Sequence, residues 1–165
     1  MTTKKRVFSK RSLANLKGVH PDLVKVVERA LQLSDLDFVV TEGLRTKEKQ
    51  LEYYNKGASR TTSGSRHLAG SQDGFGHAVD VMAYGVDNVW DFNHYYKIAD
   101  GFRKAAIELG IPIRWGGAWH YRLNEEDRSA KSLTEAYTRT QRETGKSVFL
   151  DGVHFELPNS AEYLQ

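Results

Sequence analysis

The feature that most constrains this chain is a set of histidines and carboxylates divided between two distant segments. Residues 65–80 contain His67 and Asp80, and residues 151–156 contain His154. Together the two segments hold three of the six histidines of the chain. A fold that brings the segments together would assemble the ligands of a metal site.

The composition predicts one globular domain over residues 1–165, since 39% of the residues are hydrophobic and 27% are charged. The net charge of +3 favours contact with polyanions without choosing among them. Much of the excess lies in residues 1–11, which we expect to form a flexible basic tail. The chain has no cysteine, so a transition-metal site must use His, Asp and Glu.

Membrane segments are not expected, because no apolar stretch approaches the roughly 18 residues that cross a bilayer. No apolar run follows the basic start to form a signal peptide. We therefore expect a protein that is made soluble in the cytoplasm, without stable membrane association, and that is monomeric.

The periodicity of apolar residues predicts an α+β fold, in which a small antiparallel sheet is flanked by helices and the metal site lies in a cleft at one edge. Helices are predicted near residues 12–20, 21–31, 46–57 and 91–109. Strands are predicted at 37–41, 78–84, 112–115, 148–150 and 153–157, with a turn at 151–152. Residues 120–147 are polar and only weakly helical, so we expect a peripheral insertion.

The two segments offer the donors of a hydrolytic zinc centre. Zinc hydrolases commonly use three ligands from His, Asp and Glu and leave a fourth position for water, and His67, Asp80 and His154 supply such a set. Asp151 lies three residues before His154, where it could act as a general base. Arg45, at a predicted strand-to-helix junction, could stabilise an oxyanion, or it could equally be a surface or structural residue.

Several segments resemble the LAS-type zinc peptidases. Residues 65–70 and 76–80 match the two halves of the motif Ser-x-His-x-x-Gly-x-Ala-x-Asp, and residues 151–154 match its acid-x-x-His motif. Residues 42–46 and 114–119 resemble the arginine and aromatic segments of that family. The chain is most similar to the L-alanyl-D-glutamate endopeptidases that tailed bacteriophages use as endolysins.

The resemblance implies a zinc peptidase that cuts peptidoglycan stem peptides during host cell lysis. In this reading His67, Asp80 and His154 hold zinc, Asp151 acts as base and then as acid, and Arg45 stabilises the oxyanion. Its partner would be bacterial peptidoglycan, reached from the host cytoplasm after the membrane is permeabilised.

One departure leaves the ligand set open. The motif is continuous in the family, whereas residues 71–76 appear as an insertion here. A second alignment keeps the spacing but places Asp73 where the first histidine belongs. His77 is a third candidate, three residues from Asp80. We prefer His67, because its neighbours reproduce the start of the motif and imidazole binds zinc well.

Three further residues are candidates for supporting roles. Glu156 lies two residues after His154, on the same strand face, where a carboxylate can orient an imidazole. Trp119 is expected to line the substrate groove, although tryptophan beside glycine is also typical of a core. Ser65 is expected to support the loop of His67, or to be an ordinary turn residue.

Other functions remain open at this point. A D-alanyl-D-alanine carboxypeptidase or dipeptidase would keep the same zinc chemistry, and a non-catalytic cell-wall-binding module would keep only the fold. A nucleic-acid-binding role is disfavoured, because the sequence has neither a basic helix nor an aromatic stacking platform.

Overall fold

The protein is described here by a computed structural model that covers residues 5–59, 61, 64–70, 72–160 and 162–163. The predicted α+β class is confirmed. The helices are α1 (Lys10–Leu16), α2 (Pro21–Leu33), α3 (Lys47–Asn55), α4 (Phe92–Leu109) and α5 (Ala130–Glu143), and the strands are β1 (Phe38–Glu42), β2 (Ala78–Ala83), β3 (Arg114–Gly116) and β4 (Asp151–Glu156). Within the described ranges, no helix is both long and apolar enough to span a bilayer.

The four strands form one antiparallel sheet in the order β1-β2-β4-β3. Successive residues of a strand point to opposite faces. On β2, Val79 and Val81 are buried on the face that packs against helices, while Asp80 lies on the other face. The sheet therefore has a core face and a functional face. Because β2 and β4 are its two inner strands, the candidate ligands Asp80 and His154 lie over this face.

Helix α4 supplies the centre of the core. Its Phe102 is fully buried and stacks on Phe155 of β4, with ring centroids 3.7 Å apart. Helix α2 packs along α4 through an apolar stripe that includes Leu23 and Val27. These contacts hold β4 from the core face of the sheet. They therefore also position His154, which is adjacent to Phe155 and points to the opposite face.

The basic segment near the start of the chain is more ordered than a flexible tail. Lys10 and Arg11 belong to α1, which Ser9 caps by accepting a hydrogen bond from Ser12. The guanidinium of Arg6 donates to the carbonyl of Leu31 at 3.0 Å, and thus satisfies an acceptor at the end of α2. The part of the expected tail at residues 1–4 lies outside the described residues.

The segment 120–147, expected to be a peripheral insertion, contributes to the core. It forms a short 3₁₀ helix at Leu123–Glu125 and then α5, which packs on α4. Leu123, Ala130 and Leu133 are fully buried. The many polar residues of α5 made the helix difficult to predict from the sequence. They lie on its outer face, as in other amphipathic surface helices.

The strand predicted at residues 148–150 is wrong, and so is the turn after it. β4 begins at Asp151 and runs through Gly152 without a break. Val148, Phe149 and Leu150 instead form an irregular segment with side chains that are 37–44% exposed. A short apolar run does not by itself distinguish a buried strand from an apolar surface segment.

Truncation of Phe102 tests the role of this core contact. We expect Phe102→Ala to lower the free energy of unfolding by about 3–5 kcal/mol, because it removes a fully buried ring and leaves a cavity behind β4. Ile107→Ala, on the exposed side of the same helix, should change it by less than about 1 kcal/mol. Urea unfolding of the metal-free protein measures both, and equal losses would contradict this view of the core.

Candidate active site

The register of the sheet brings two of the candidate ligands together. Asp80 on β2 is directly opposite His154 on β4. Opposed residues of antiparallel strands point to the same face with their Cβ atoms about 4.5–5.5 Å apart. The Nδ1 atom of His154 lies 3.2 Å from Oδ1 of Asp80 as a result.

The third candidate ligand comes from a loop that backbone hydrogen bonds hold beside the sheet. The carbonyl of His67 accepts from the amide of Arg45 at 2.8 Å, and the carbonyl of Arg66 accepts from the amide of His77 at 2.7 Å. These contacts place Nε2 of His67 at 3.3 Å from Oδ1 of Asp80. Nδ1 of His67 lies 2.9 Å from the carbonyl of Gly43. A carbonyl only accepts, so Nδ1 carries the proton and Nε2 is left to bind a metal.

The three side chains fit a divalent transition metal. One ligand atom from each of His67, Asp80 and His154 lies within 4.8 Å of the other two. The donor set of two imidazoles and one carboxylate is of the kind that holds hydrolytic zinc. Across the residues that the structure describes, no second group of three such side chains is this compact.

Two carboxylates set the charge state of the imidazole of His154. Its Nδ1 faces Asp80, and its Nε2 lies 2.8 Å from Oε1 of Glu156. Burial opposes the imidazolium, but hydrogen bonds to both carboxylates outweigh it and raise the pKa of His154 to about 10. Burial likewise opposes ionisation of Asp80, yet the nearby imidazoles of His67 and His154 hold its pKa well below the ordinary value. The carboxylates of Asp80 and Glu156 therefore favour a positive charge at the position between them.

Asp151 enters the same cleft from the first position of β4. Its Cα is paired with Gly116 of β3, where a side chain would collide with the Asp151 carbonyl. Burial raises the pKa of the Asp151 carboxyl above its ordinary value. A raised pKa suits a group that must take up and then release a proton near neutral pH.

Arg45 is held rigidly at the junction between β1 and α3. Its guanidinium makes two hydrogen bonds to Glu42, at 2.7 and 2.9 Å, and a third to Gln50 at 2.7 Å. It also lies over the ring of Tyr53, 4.6 Å from the centroid, and 3.4 Å from Oγ of Ser65. The cation is therefore fixed in orientation before any substrate arrives.

The residues that fix Arg45 were not identified from the sequence. Glu42 precedes Arg45 by three residues, and this short spacing between opposite charges was a usable signal. Gln50 is fully buried, and its amide nitrogen donates to the hydroxyl of Ser59 and the carbonyl of Thr61. Nothing in the sequence marks it, because its partners come from the loop after α3.

The remaining predicted residues also border the cleft, which has a volume of about 620 Å³. The hydroxyl of Ser65 accepts a hydrogen bond from the amide of His67 at 3.2 Å, which supports the ligand loop. Trp119 lies 5.5 Å from His154, measured between ring centroids. Phe149, which sequence reasoning did not select, lies beside Trp119 and completes this side.

The alternative ligands Asp73 and His77 lie together in a separate cluster. Nε2 of His77 is 2.7 Å from Oδ2 of Asp73, and its Nδ1 contacts the guanidinium of Arg66 at 2.9 Å. His20 lies on the other side of Asp73, at 3.9 Å. The structure thus separates Asp73 and His77 from the group formed by His67, Asp80 and His154, and uses them to attach the loop 72–76 to the start of α2.

Comparison with known proteins agrees with this geometry. The profile of the phage L-alanyl-D-glutamate peptidase family matches residues 4–157. The chain belongs to this family. The resemblance inferred from the two half-motifs is thereby confirmed, and the protein is a peptidase.

Individual relatives point the same way. The chain is 33% identical over 118 residues to the L-alanyl-D-glutamate peptidase of Escherichia phage T5, a match that covers 68% of this chain and 81% of the phage protein. It is 30% identical over 115 residues to the L-alanyl-D-glutamate peptidase of Listeria phage A118, covering 68% and 38% of the two chains. The crystal structure of the Serratia marcescens L-Ala D-Glu endopeptidase ChiX superimposes with a TM-score of 0.65 at 38% identity, and covers 94% of this chain and 92% of that one.

Metal analysis of two variants distinguishes the two alignments of the motif. We expect His67→Ala to lose the tightly bound divalent ion, because it removes one of three clustered donors. Asp73→Ala should retain about one ion per chain, since Asp73 lies with His77. Elemental analysis after dialysis measures both. Retention of the ion by His67→Ala together with its loss from Asp73→Ala would show that Asp73 occupies the ligand position.

Proposed function

We propose that this peptidase cleaves the L-alanyl-D-glutamate bond of peptidoglycan stem peptides, with zinc bound by His67, Asp80 and His154. The observation that carries the proposal is this compact donor group in the cleft of a member of the phage L-alanyl-D-glutamate peptidase family. Two phage relatives and a bacterial structural neighbour bear the name of the same activity.

Zinc suits the donors better than the hard cations do. Calcium and magnesium favour oxygen ligands, whereas two of the three donors here are imidazole nitrogens. When bound, zinc supplies a Lewis acid that activates water and polarises the scissile carbonyl. Nε2 of His154 keeps its hydrogen bond to Glu156, which orients the ring and increases the basicity of the nitrogen that faces Asp80.

Asp151 carries the protons of the reaction. Its carboxylate accepts a proton from the water that attacks the carbonyl carbon of L-alanine. It then delivers that proton to the nitrogen of D-glutamate as the carbon–nitrogen bond breaks. The second proton of the water passes from the new carboxyl group of L-alanine to the new amine of D-glutamate, so the products are a carboxylate and an ammonium group, and atoms and charges balance.

Arg45 stabilises the negative charge that develops on the carbonyl oxygen. A cation that is already oriented needs no rearrangement as this charge appears, which is the basis of electrostatic stabilisation of a transition state. Glu42, Gln50 and Tyr53 supply that orientation. Trp119 lines the substrate groove. Ser65 supports the loop of His67 by accepting a hydrogen bond from its amide.

In the cell the enzyme acts as a phage endolysin in host lysis. Its substrate is the bacterial cell wall, which it reaches after the membrane has been permeabilised. The positive net charge favours approach to an anionic wall.

Product analysis tests the bond that is cut. Digestion of purified peptidoglycan should release fragments with new N-terminal D-glutamate, and chelation of the metal should abolish that release until zinc is restored. Labelling of free amino groups followed by mass spectrometry identifies the new termini. Release of free D-alanine would refute the proposal in favour of D-alanyl-D-alanine specificity. Wall binding that is unaffected by chelator, with no loss of turbidity, would indicate a non-catalytic module.

Asp151→Asn tests the proton carrier. We expect kcat to fall by about 10²–10⁴-fold, because an amide cannot accept the proton, while zinc content remains near one ion per chain. Asp87→Asn, at an exposed position, should keep wild-type activity. Zinc assay and peptide hydrolysis on the same preparations separate the two effects. Loss of zinc from Asp151→Asn would mean that Asp151 is a ligand rather than the base.

A further inference from the structure

One side of the cleft is formed by two aromatic side chains, Trp119 and Phe149, here called the aromatic wall. Their ring centroids are 5.9 Å apart and their planes differ by 10°. The indole nitrogen of Trp119 donates to the carbonyl of Phe149 at 3.0 Å, which fixes the register between the two residues. The wall is thus a built surface rather than two independent side chains.

Helix α5 holds the segment that carries Phe149. The amide nitrogen of Gln141 donates to the carbonyl of Ser147 at 2.8 Å, and the hydroxyl of Tyr137 accepts from the amide of Phe149 at 3.5 Å. Tyr137 and Gln141 are themselves buried. The irregular segment that carries Phe149 is thereby kept beside the active site by α5.

The aromatic wall remains open to solvent although it adjoins the core. The side chain of Phe149 is 44% exposed, and its neighbours Val148 and Leu150 are 37% and 39% exposed. Phe149 lines the cleft, and an exposed aromatic side chain in a cleft is typical of a ligand-binding site. Flat aromatic rings are suited to stacking on the apolar face of a sugar ring.

The position of the wall matches the geometry of the substrate class. In peptidoglycan the nitrogen of L-alanine is joined to the lactyl group of a muramic acid sugar. The sugar is therefore two chain units from the scissile carbonyl, at most about 7 Å away. Trp119 lies 5.5 Å from the ring of His154, and Phe149 lies 5.9 Å from Trp119. The wall therefore begins next to His154, within reach of a sugar that is two chain units from a carbonyl held at the candidate metal site.

The charges of the cleft are compatible with this occupant. The D-glutamate side of the bond is anionic, and Arg45, a cation, lines the same cleft. The sugar side is uncharged near the bond. The guanidinium beside the wall, that of Arg114, stacks on Trp119 and lies 3.9 Å from Glu156, so its charge is partly compensated.

We infer that the aromatic wall of Trp119 and Phe149 binds the muramic acid ring attached to L-alanine, so that the enzyme prefers stem peptides still linked to the glycan. This inference rests on the proposed cleavage of the L-alanyl-D-glutamate bond. Phe149 is a specificity-determining residue that contacts the sugar and not the reacting atoms.

Two substrates that differ only in the sugar test the inference. One is a disaccharide peptide with the sequence muramoyl-L-alanyl-D-glutamyl, and the other is the same peptide with an N-lactoyl group in place of the muramic acid. Phe149→Ala should lower kcat/KM for the disaccharide peptide by about tenfold, because one stacking contact is lost. It should leave kcat/KM for the N-lactoyl peptide within about twofold of the wild type.

Matched variants separate stacking from a general disturbance of the site. Phe149→Tyr keeps the ring and should retain the preference for the disaccharide peptide. Tyr84→Ala removes an aromatic ring that is 59% exposed and lies outside the cleft, and should change neither rate. Equal losses on the two peptides with Phe149→Ala, or no loss on the disaccharide peptide, would overturn the inference.

The wild-type enzyme distinguishes failure of this inference from failure of the proposed function. Equal kcat/KM for the two peptides, with cleavage at the L-alanyl-D-glutamate bond, would overturn sugar recognition and leave the proposed function intact. Cleavage of neither peptide at that bond would overturn both.

Discussion

The pairing of Asp80 with His154 across β2 and β4 is the interaction on which the rest of the site depends. A one-residue shift of either strand would turn its ligand to the opposite face and its core residues to the cleft. The stack of Phe102 on Phe155 opposes such a shift, because it anchors β4 from the core side. The hydrophobic core on one face of the sheet therefore specifies the register that brings the candidate ligands together on the other face.

The loops add the groups that a sheet face cannot supply. His67 and Arg45 come from different segments but share a backbone hydrogen bond, from the Arg45 amide to the His67 carbonyl. A displacement of the Arg45 backbone would therefore also displace His67, the third candidate ligand. Gln50 extends this connection to Ser59 and Thr61, since its side chain contacts Arg45 at one end and these two residues at the other. Hydrogen bonds therefore connect the loop of His67, Arg45 and the loop after α3 beside the candidate ligands.

Local patterns in the sequence were sufficient to predict β2, α3 and α4. A carboxylate inside the apolar run of β2 was informative, because burial of Asp80 requires compensating partners. The amphipathic periodicity of α4 and the capping residue Thr46 before α3 also predicted their elements. In each case the physical cause lies within a few residues of the element itself.

Long-range contacts account for what the sequence did not predict. α5 is polar on most of its surface, so its apolar pattern is weak in the sequence, and it is stabilised by a buried face against α4. Phe149 belongs to an apolar run that resembles a strand, yet the side-chain hydrogen bonds of Trp119 and Tyr137 hold it as an irregular segment. The role of Gln50 could not be predicted for the same reason, because it depends on contacts with other segments of the chain. The supporting residues of this site are defined by their partners rather than by their own spacing.

A proton and a metal ion would compete for the nitrogen of His154 that faces Asp80. Both nitrogens of this ring face carboxylate oxygens; burial opposes the imidazolium, but the hydrogen bonds to Asp80 and Glu156 outweigh it and raise the pKa of His154. If His67, Asp80 and His154 hold a divalent ion, His154 must give up a proton to bind it, so binding would release a proton and would weaken as the pH falls. The imidazolium of His154 is then the partner that stabilises the partly buried carboxylate of Asp80 on a central strand while the proton is present.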